Sequence, residues 1–173
     1  MKPLKPAIMT AMFTGIFSVC SQAADPVQVK TPFNANEVKW IQSSGNSSIS
    51  GSAFLQLNEK EKKGCAGFGV ELLPVAGYSN ERILNIYGNN SQGQVLMKDN
   101  PPKFTPDPTE YHELVRKSKC DEKNQFSFKD LPVGEYYVIF FIIWKDETGK
   151  DDGGAVMRRV SLKANDNVVV SVL

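Results

Sequence analysis

Apolar positions fall into short runs separated by turn residues over most of the chain, the pattern of extended strands rather than helices. Ser52 to Leu57 is strand-like, with Phe54 and Leu55 as its inward candidates, and Cys65 to Leu73 sets Val70 and Leu72 on one face. Gly93 to Met97 is a short strand. Thr109 to Lys117 can alternate, with Tyr111, Glu113 and Val115 on the more apolar face and His112, Leu114 and Arg116 on the other. Gln125 to Lys129, a turn at Asp130 to Gly134, and Tyr136 to Trp144 form the most regular stretch. The last of these is an unbroken apolar run, which predicts a strand covered on both faces at the centre of a sheet. Val156 to Leu162 and Val168 to Leu173 follow, joined by a turn at Asn165-Asp166-Asn167. The Val-rich final strand would be hazardous as an unpaired edge and is expected to pair within the sheet. About seven strands at this spacing predict an all-β fold, an antiparallel sandwich.

One segment favours helix. From Tyr78 to Gly88, Ser79 can cap, Glu81 sits in the first turn, and Ile83, Leu84 and Tyr87 recur at helical spacing before a terminating glycine. Asp99 to Pro108 carries four prolines, which excludes helix and central strand and leaves an extended loop. Gly45 to Gly51 is rich in Ser, Asn and Gly and reads as a turn or linker.

The N-terminus reads as a secretory leader. Lys2 and Lys5 precede the apolar stretch Ala7 to Val19, and Ser21-Gln22-Ala23 supplies small residues for cleavage before Ala24. The apolar stretch is too short to span a bilayer. Cys20 opens a second reading, a lipid-anchored protein, but Phe17 and Val19 match a lipidation site poorly. The expected organisation is a leader over 1–23, an N-terminal arm over 24–50 and a β-domain over 51–173.

Lys plus Arg number 20 against 19 Asp plus Glu. Loss of the leader removes two lysines and moves the net charge from +1 to −1, so no chain-wide basic field exists for nucleic acid. Of the three cysteines, Cys65 and Cys120 remain in the mature chain, an even number in an oxidising compartment, and a disulfide between them is expected. Closing that loop would stabilise the fold by about 4 kcal/mol. A redox pair or a thiol nucleophile is the alternative, without a C-x-x-C to support it.

Phe126-Ser127-Phe128, then Leu131-Pro132-Val133-Gly134, then Tyr136-Tyr137-Val138 form a pattern that resembles the carboxypeptidase regulatory-like domain, in an exported bacterial subgroup. The resemblance implies a transthyretin-type, seven-stranded sandwich without catalytic function. Pro132 fixes φ in the turn, Gly134 offers a conformation that a side chain resists, and Tyr136 opens the return strand. Asn124 stands where that family has Gly, a change that a left-handed Asn accommodates.

The chemistry-bearing residues are few. A single His, His112, lies beside Tyr111 and Glu113 and could act as a base oriented by a carboxylate, although a solvent-facing strand histidine explains it as well. Asp146, Glu147, Asp151 and Asp152 could ligate calcium, but Lys145 and Lys150 lie among them and the spacing is not that of an EF-hand. Arg158-Arg159 could clamp an anion, yet adjacent strand residues face opposite ways. Trp40, Trp144, Tyr136 and Tyr137 could form an aromatic platform, against which stands core packing. The leading expectation is a non-catalytic, exported β-sandwich with a structural or protein-binding role in the cell envelope. Its expected partner is another envelope or extracellular protein, and no cofactor, nucleic acid or membrane span is expected. The alternative is a carbohydrate- or small-ligand-binding module using exposed aromatics and the Pro-rich loop, and a third reading is a small hydrolase centred on His112.

Overall fold

The computed structural model describes residues 25–172. The expected leader, its expected cleavage site and Cys20 lie outside the described residues. Eleven strands and three short α-helices are found among those described, with strands dominant. Five strands form one sheet in the order β5 (Gln92–Leu96), β10 (Asp151–Leu162), β9 (Gly134–Lys145), β4 (Gly69–Pro74) and β7 (Arg116–Lys119), every pair antiparallel. The second sheet is built on β2 (Ser47–Gln56), which bonds antiparallel to β3 (Lys62–Gly64) and β8 (Gln125–Leu131) and parallel to β11 (Asn167–Val172). A third, minimal sheet pairs β1 (Val27–Gln28) with β6 (Phe104–Thr105) in parallel. Nine strands in the two main sheets, and two parallel pairings, replace the expected seven antiparallel strands. The extra strands are mostly two to four residues long, below the length at which alternation can be read from a sequence.

The two large sheets enclose one core. Ile49, Ala53 and Leu55 of β2 and Phe126 and Phe128 of β8 meet Val70 and Leu72 of β4, Tyr136, Val138, Phe140 and Ile142 of β9, and Val156, Val160 and Leu162 of β10. Leu55, not Phe54, faces inward on β2, and Phe54 lies under the Lys62 ammonium at 4.6 Å. Gly51 has φ +153°, and a Cβ there would run into the Val170 carbonyl oxygen, so glycine lets β11 lie close against β2.

Helix α2 (Gly77–Tyr87) lies on the outer face of the five-stranded sheet, where Ile83 packs in a second core with Leu73, Val115, Tyr137, Ile139 and Met157. Its N-cap is Ala76 rather than Ser79; the Ser79 hydroxyl oxygen accepts the Ala76 N–H from the third helical position. Gly88, at φ +66°, closes the helix, and Leu84 is exposed. Strand β9 is covered on both faces from Tyr136 to Phe140, but Phe141 and Ile143, further along its outer face, are exposed.

The arm belongs to the fold. It contributes β1, α1 (Ala35–Val38) and a 3-10 turn at Lys39–Gln42, and β2 begins at Ser47, so residues 47–50 are sheet rather than linker. Glu81 accepts the backbone N–H groups of Lys30 and Thr31, both at 2.8 Å. The Arg116 guanidinium donates to the carbonyls of Ile41 and Ser43, fastening the arm to β7. The segment expected as a strand over 109–117 divides into α3 (Thr109–Glu113) and β7. Tyr111 and Val115 are four apart, a spacing that shares one face in a strand and in a helix alike, and tertiary packing of Tyr111 on Phe33 and Tyr78 selects the helix.

Candidate ligand-binding face

Alternation along β2 sends Ile49, Ala53 and Leu55 to the core and Ser48, Ser50 and Ser52 to the opposite, outer face. The register then aligns these serines with polar neighbours on both sides. Ser50 stands between Ser127 and Val169, Ser52 between Gln125 and Ser171, and Ser48 beside Asn167. The face holds two shallow depressions of about 400 and 510 Å³, and Ser50 lines both. Lys129 and Asp130 border the second one. Ser48 Oγ donates to Asn167 Oδ1 at 2.6 Å. The hydroxyls of Ser50, Ser52 and Ser171 have no hydrogen-bond partner among the described residues and line the first depression with Gln125. Hydroxyls and carboxamides both donate and accept, which suits a neutral, hydroxyl-rich ligand better than an ion. The face was concealed in the sequence because Gly45 to Gly51 has turn composition; the alternation Ser48-Ile49-Ser50 was the available signal.

A second opening lies under the arm, lined by Phe33, Asn34, Glu37, Tyr78, Tyr111 and Leu114. It has about 10 Å³ of space, room for one water and far short of a sugar ring. Beside it, Arg82 lies over the rings of Phe104 and Tyr111, at 4.5 and 4.6 Å. Asp107 accepts from Arg82 and meets His112 Nε2 at 2.8 Å. Burial alone would raise the Asp107 pKa, but the hydrogen bonds from Arg82 and His112 and the Arg82 charge carry it below the usual range. Burial pushes the Tyr111 phenol well above its ordinary value. This cluster ties α2 to the Pro-rich loop and α3. His112 therefore sits on a helix and is oriented by Asp107, not by Glu113.

The other residues singled out in the sequence do not converge. Tyr136 and Tyr137 are fully buried, Trp40 packs on Tyr136, and the Trp144 ring is covered by Lys63 at 4.3 Å, so the aromatic platform is not formed. Asp146 Oδ1 accepts from the Thr148 and Lys150 N–H groups and the Thr148 hydroxyl, and Asp151 pairs with Lys145 at 2.7 Å. No group of three metal-ligating side chains occurs among the described residues. Arg158 bonds Gln92 while Arg159 pairs with Glu135 at 2.8 Å, so the two do not share an anion.

Cys65 and Cys120 are joined in a disulfide with Cα atoms 5.7 Å apart. Phe126 and Phe128 point inward, Phe126 meets Phe140 edge to face at 4.9 Å, Leu131 is buried, and the Tyr136 hydroxyl donates to the Pro132 carbonyl. Burial raises the Tyr136 phenol to about 12. Asn124 is left-handed at φ +62°.

No family model and no curated protein matches the chain. Among solved structures it is similar to a "putative carbohydrate binding protein" from Pseudomonas aeruginosa, with 20% identity, a TM-score of 0.63, and coverage of 82% of this chain and 98% of that one. That likeness is one of fold. No helix among the described residues is long and apolar enough to cross a membrane.

Proposed function

We propose that the chain is an exported, non-catalytic binding module that takes a neutral carbohydrate on the outer face of the β2, β8 and β11 sheet. The observation that carries this reading is the grid of Ser50, Ser52, Gln125, Ser127 and Ser171 around two adjoining depressions, whose volumes lie in the range of small-ligand sites. Support comes from the fold shared with the Pseudomonas aeruginosa protein, itself described as carbohydrate-binding. The Phe126 to Val138 pattern supports a relationship to the carboxypeptidase regulatory-like domain, with the short strands as additions to a transthyretin-type sandwich. A glycan array followed by calorimetry on wild type and Ser50→Tyr tests the site. Wild type is expected to bind a neutral glycan, and the tyrosine, which projects from the position that borders both depressions and obstructs them, is expected to weaken that binding at least about tenfold without changing the melting temperature. Undiminished binding by Ser50→Tyr refutes this placement.

A second reading, a protein-binding role in the envelope, rests on Phe141 and Ile143, 37% and 39% exposed on the outer face of β9 beyond the cover of α2. Capture of an envelope protein that is lost in Phe141→Ser/Ile143→Ser and retained in Ser50→Tyr would favour it.

A further inference from the structure

Strand β11 lies at the end of its sheet and bonds only to β2 among the described residues. The Asp166 carbonyl accepts the Ser48 N–H at 2.8 Å, and the parallel register runs from Asn167 opposite Ser48 to Val172 opposite Ala53. In such a ladder alternate residues turn their backbone groups to the neighbour. Val168, Val170 and Val172 therefore face β2, and the N–H and C=O groups of Asn167, Val169 and Ser171 point to the open edge. Other end strands carry defences against pairing. Lys62 and Lys63 stand on β3, and Arg116, Lys117 and Lys119 on β7. Strand β5 is neutral, but its Gln94 carboxamide is spent on the N–H and C=O of Gln56. Strand β11 has no charge and no proline, and its central Val169 is 77% exposed.

We propose that β11 pairs antiparallel with β11 of a second copy, about a two-fold axis through Val169. The edge is self-complementary in that register: Val169 faces Val169, Asn167 faces Ser171, and every outward N–H and C=O of the three residues gains a partner. No like charges meet within the strand pair, since none are present. The contact is one short strand per copy, smaller than a standard interface, so the dimer is weak and concentration-dependent. It joins the serine-lined faces of the two copies edge to edge, yet it stands on the backbone geometry and does not depend on the carbohydrate reading.

Sedimentation velocity on the purified mature protein from about 1 µM to about 1 mM tests the proposal. The expected result is a monomer–dimer equilibrium that Val169→Pro weakens at least about tenfold with an unchanged circular dichroism spectrum, because that N–H is not used in the β2 ladder. Should the proline variant misfold, Val169→Lys places like charges on the axis and is expected to have the same effect. The register is tested by mild oxidation of cysteine variants on non-reducing gels. Val169→Cys is expected to cross-link to itself, its Cα atoms lying about 5.5 Å apart. Asn167→Cys alone is expected not to, at about 13 Å along the strands, whereas Asn167→Cys mixed with Ser171→Cys is expected to cross-link. A monomer at every concentration, a Val169→Pro variant that dimerises like wild type, or Asn167→Cys cross-linking to itself as readily as Val169→Cys would overturn the proposal.

Discussion

The ring of Trp40, in the arm, meets the ring of Tyr136, at the start of the central strand, edge to face with centroids 5.2 Å apart. The contact explains Gly134. That residue does not adopt a positive φ, as its place in the turn suggests; instead, a Cβ there would lie 2.3 Å from the Trp40 ring. Its missing side chain makes room for the arm. The left-handed conformation is taken by Asp130, at φ +54°.

Gly134→Ala is therefore expected to destabilise the protein by about 1–3 kcal/mol through overpacking. Trp40→Ala is expected to cost about 2–4 kcal/mol, below a fully buried tryptophan because the ring is only partly covered. In the double variant the alanine at 134 should add less than about 0.5 kcal/mol, since the ring it strikes is gone. Urea unfolding of the four proteins gives the coupling, and strictly additive losses would show that the two residues do not oppose each other.

Cys65 is fully buried at the end of β3 and Cys120 is nearly so after β7, and their bond links the two main sheets at one end of the core. Reduction, or the pair Cys65→Ala/Cys120→Ala, is expected to lower stability by about 2–4 kcal/mol, chiefly by freeing the unfolded chain. Because both side chains lie in a close-packed interior, serine at the same positions should cost more than alanine. Denaturant midpoints with and without reductant check the first expectation, and the alanine and serine pairs check the second.

The strands that a reader can find in this sequence are those whose burial comes from their own alternation. Phe126, Phe128, Val70 and Leu72 face the core as their spacing requires. What escapes is set by distant partners. β1 and β6 exist through each other, and Tyr111 is helical because Phe33 and Tyr78 receive it. The candidate face was hidden for a related reason: a serine pointing to solvent from a strand and a serine in a turn have the same composition, and only the register with Ser127 and Val169 separates them.

Asp146 closes its hairpin with three hydrogen bonds to one carboxylate oxygen, and its pKa is lowered by them, first by the Thr148 hydroxyl and then by the Lys150 N–H. A calcium ion would have to displace these bonds and the Lys145–Asp151 pair. About 1 mM Ca²⁺ is thus expected to leave the melting temperature unchanged, whereas a bound ion would raise it. Asp146→Ala is expected to loosen the loop, read as faster amide exchange at Thr148 and Lys150 with the sheet unaffected.

Glu81 offers a test of the arm by pH. The backbone N–H of Lys30, then the contacts of Thr31, hold its carboxyl below the ordinary value near 4.3. A carboxyl depressed in the folded state contributes stability that is complete above the unfolded value and is lost as pH falls through the folded one. The contribution should be whole at pH 7 and be lost as the solution is acidified below the ordinary carboxylate range. Glu81→Gln is therefore expected to have a lower urea midpoint than wild type at pH 7, and the difference should close on acidification, while the Asp107 cluster, present in both proteins, cancels. Tryptic cleavage after Lys30 at neutral pH should be faster in the variant, because the strap that Glu81 holds carries that residue. A midpoint difference that stays constant from pH 7 to about pH 2 would mean that the glutamine disturbs packing and that the carboxylate's charge does not fasten the arm.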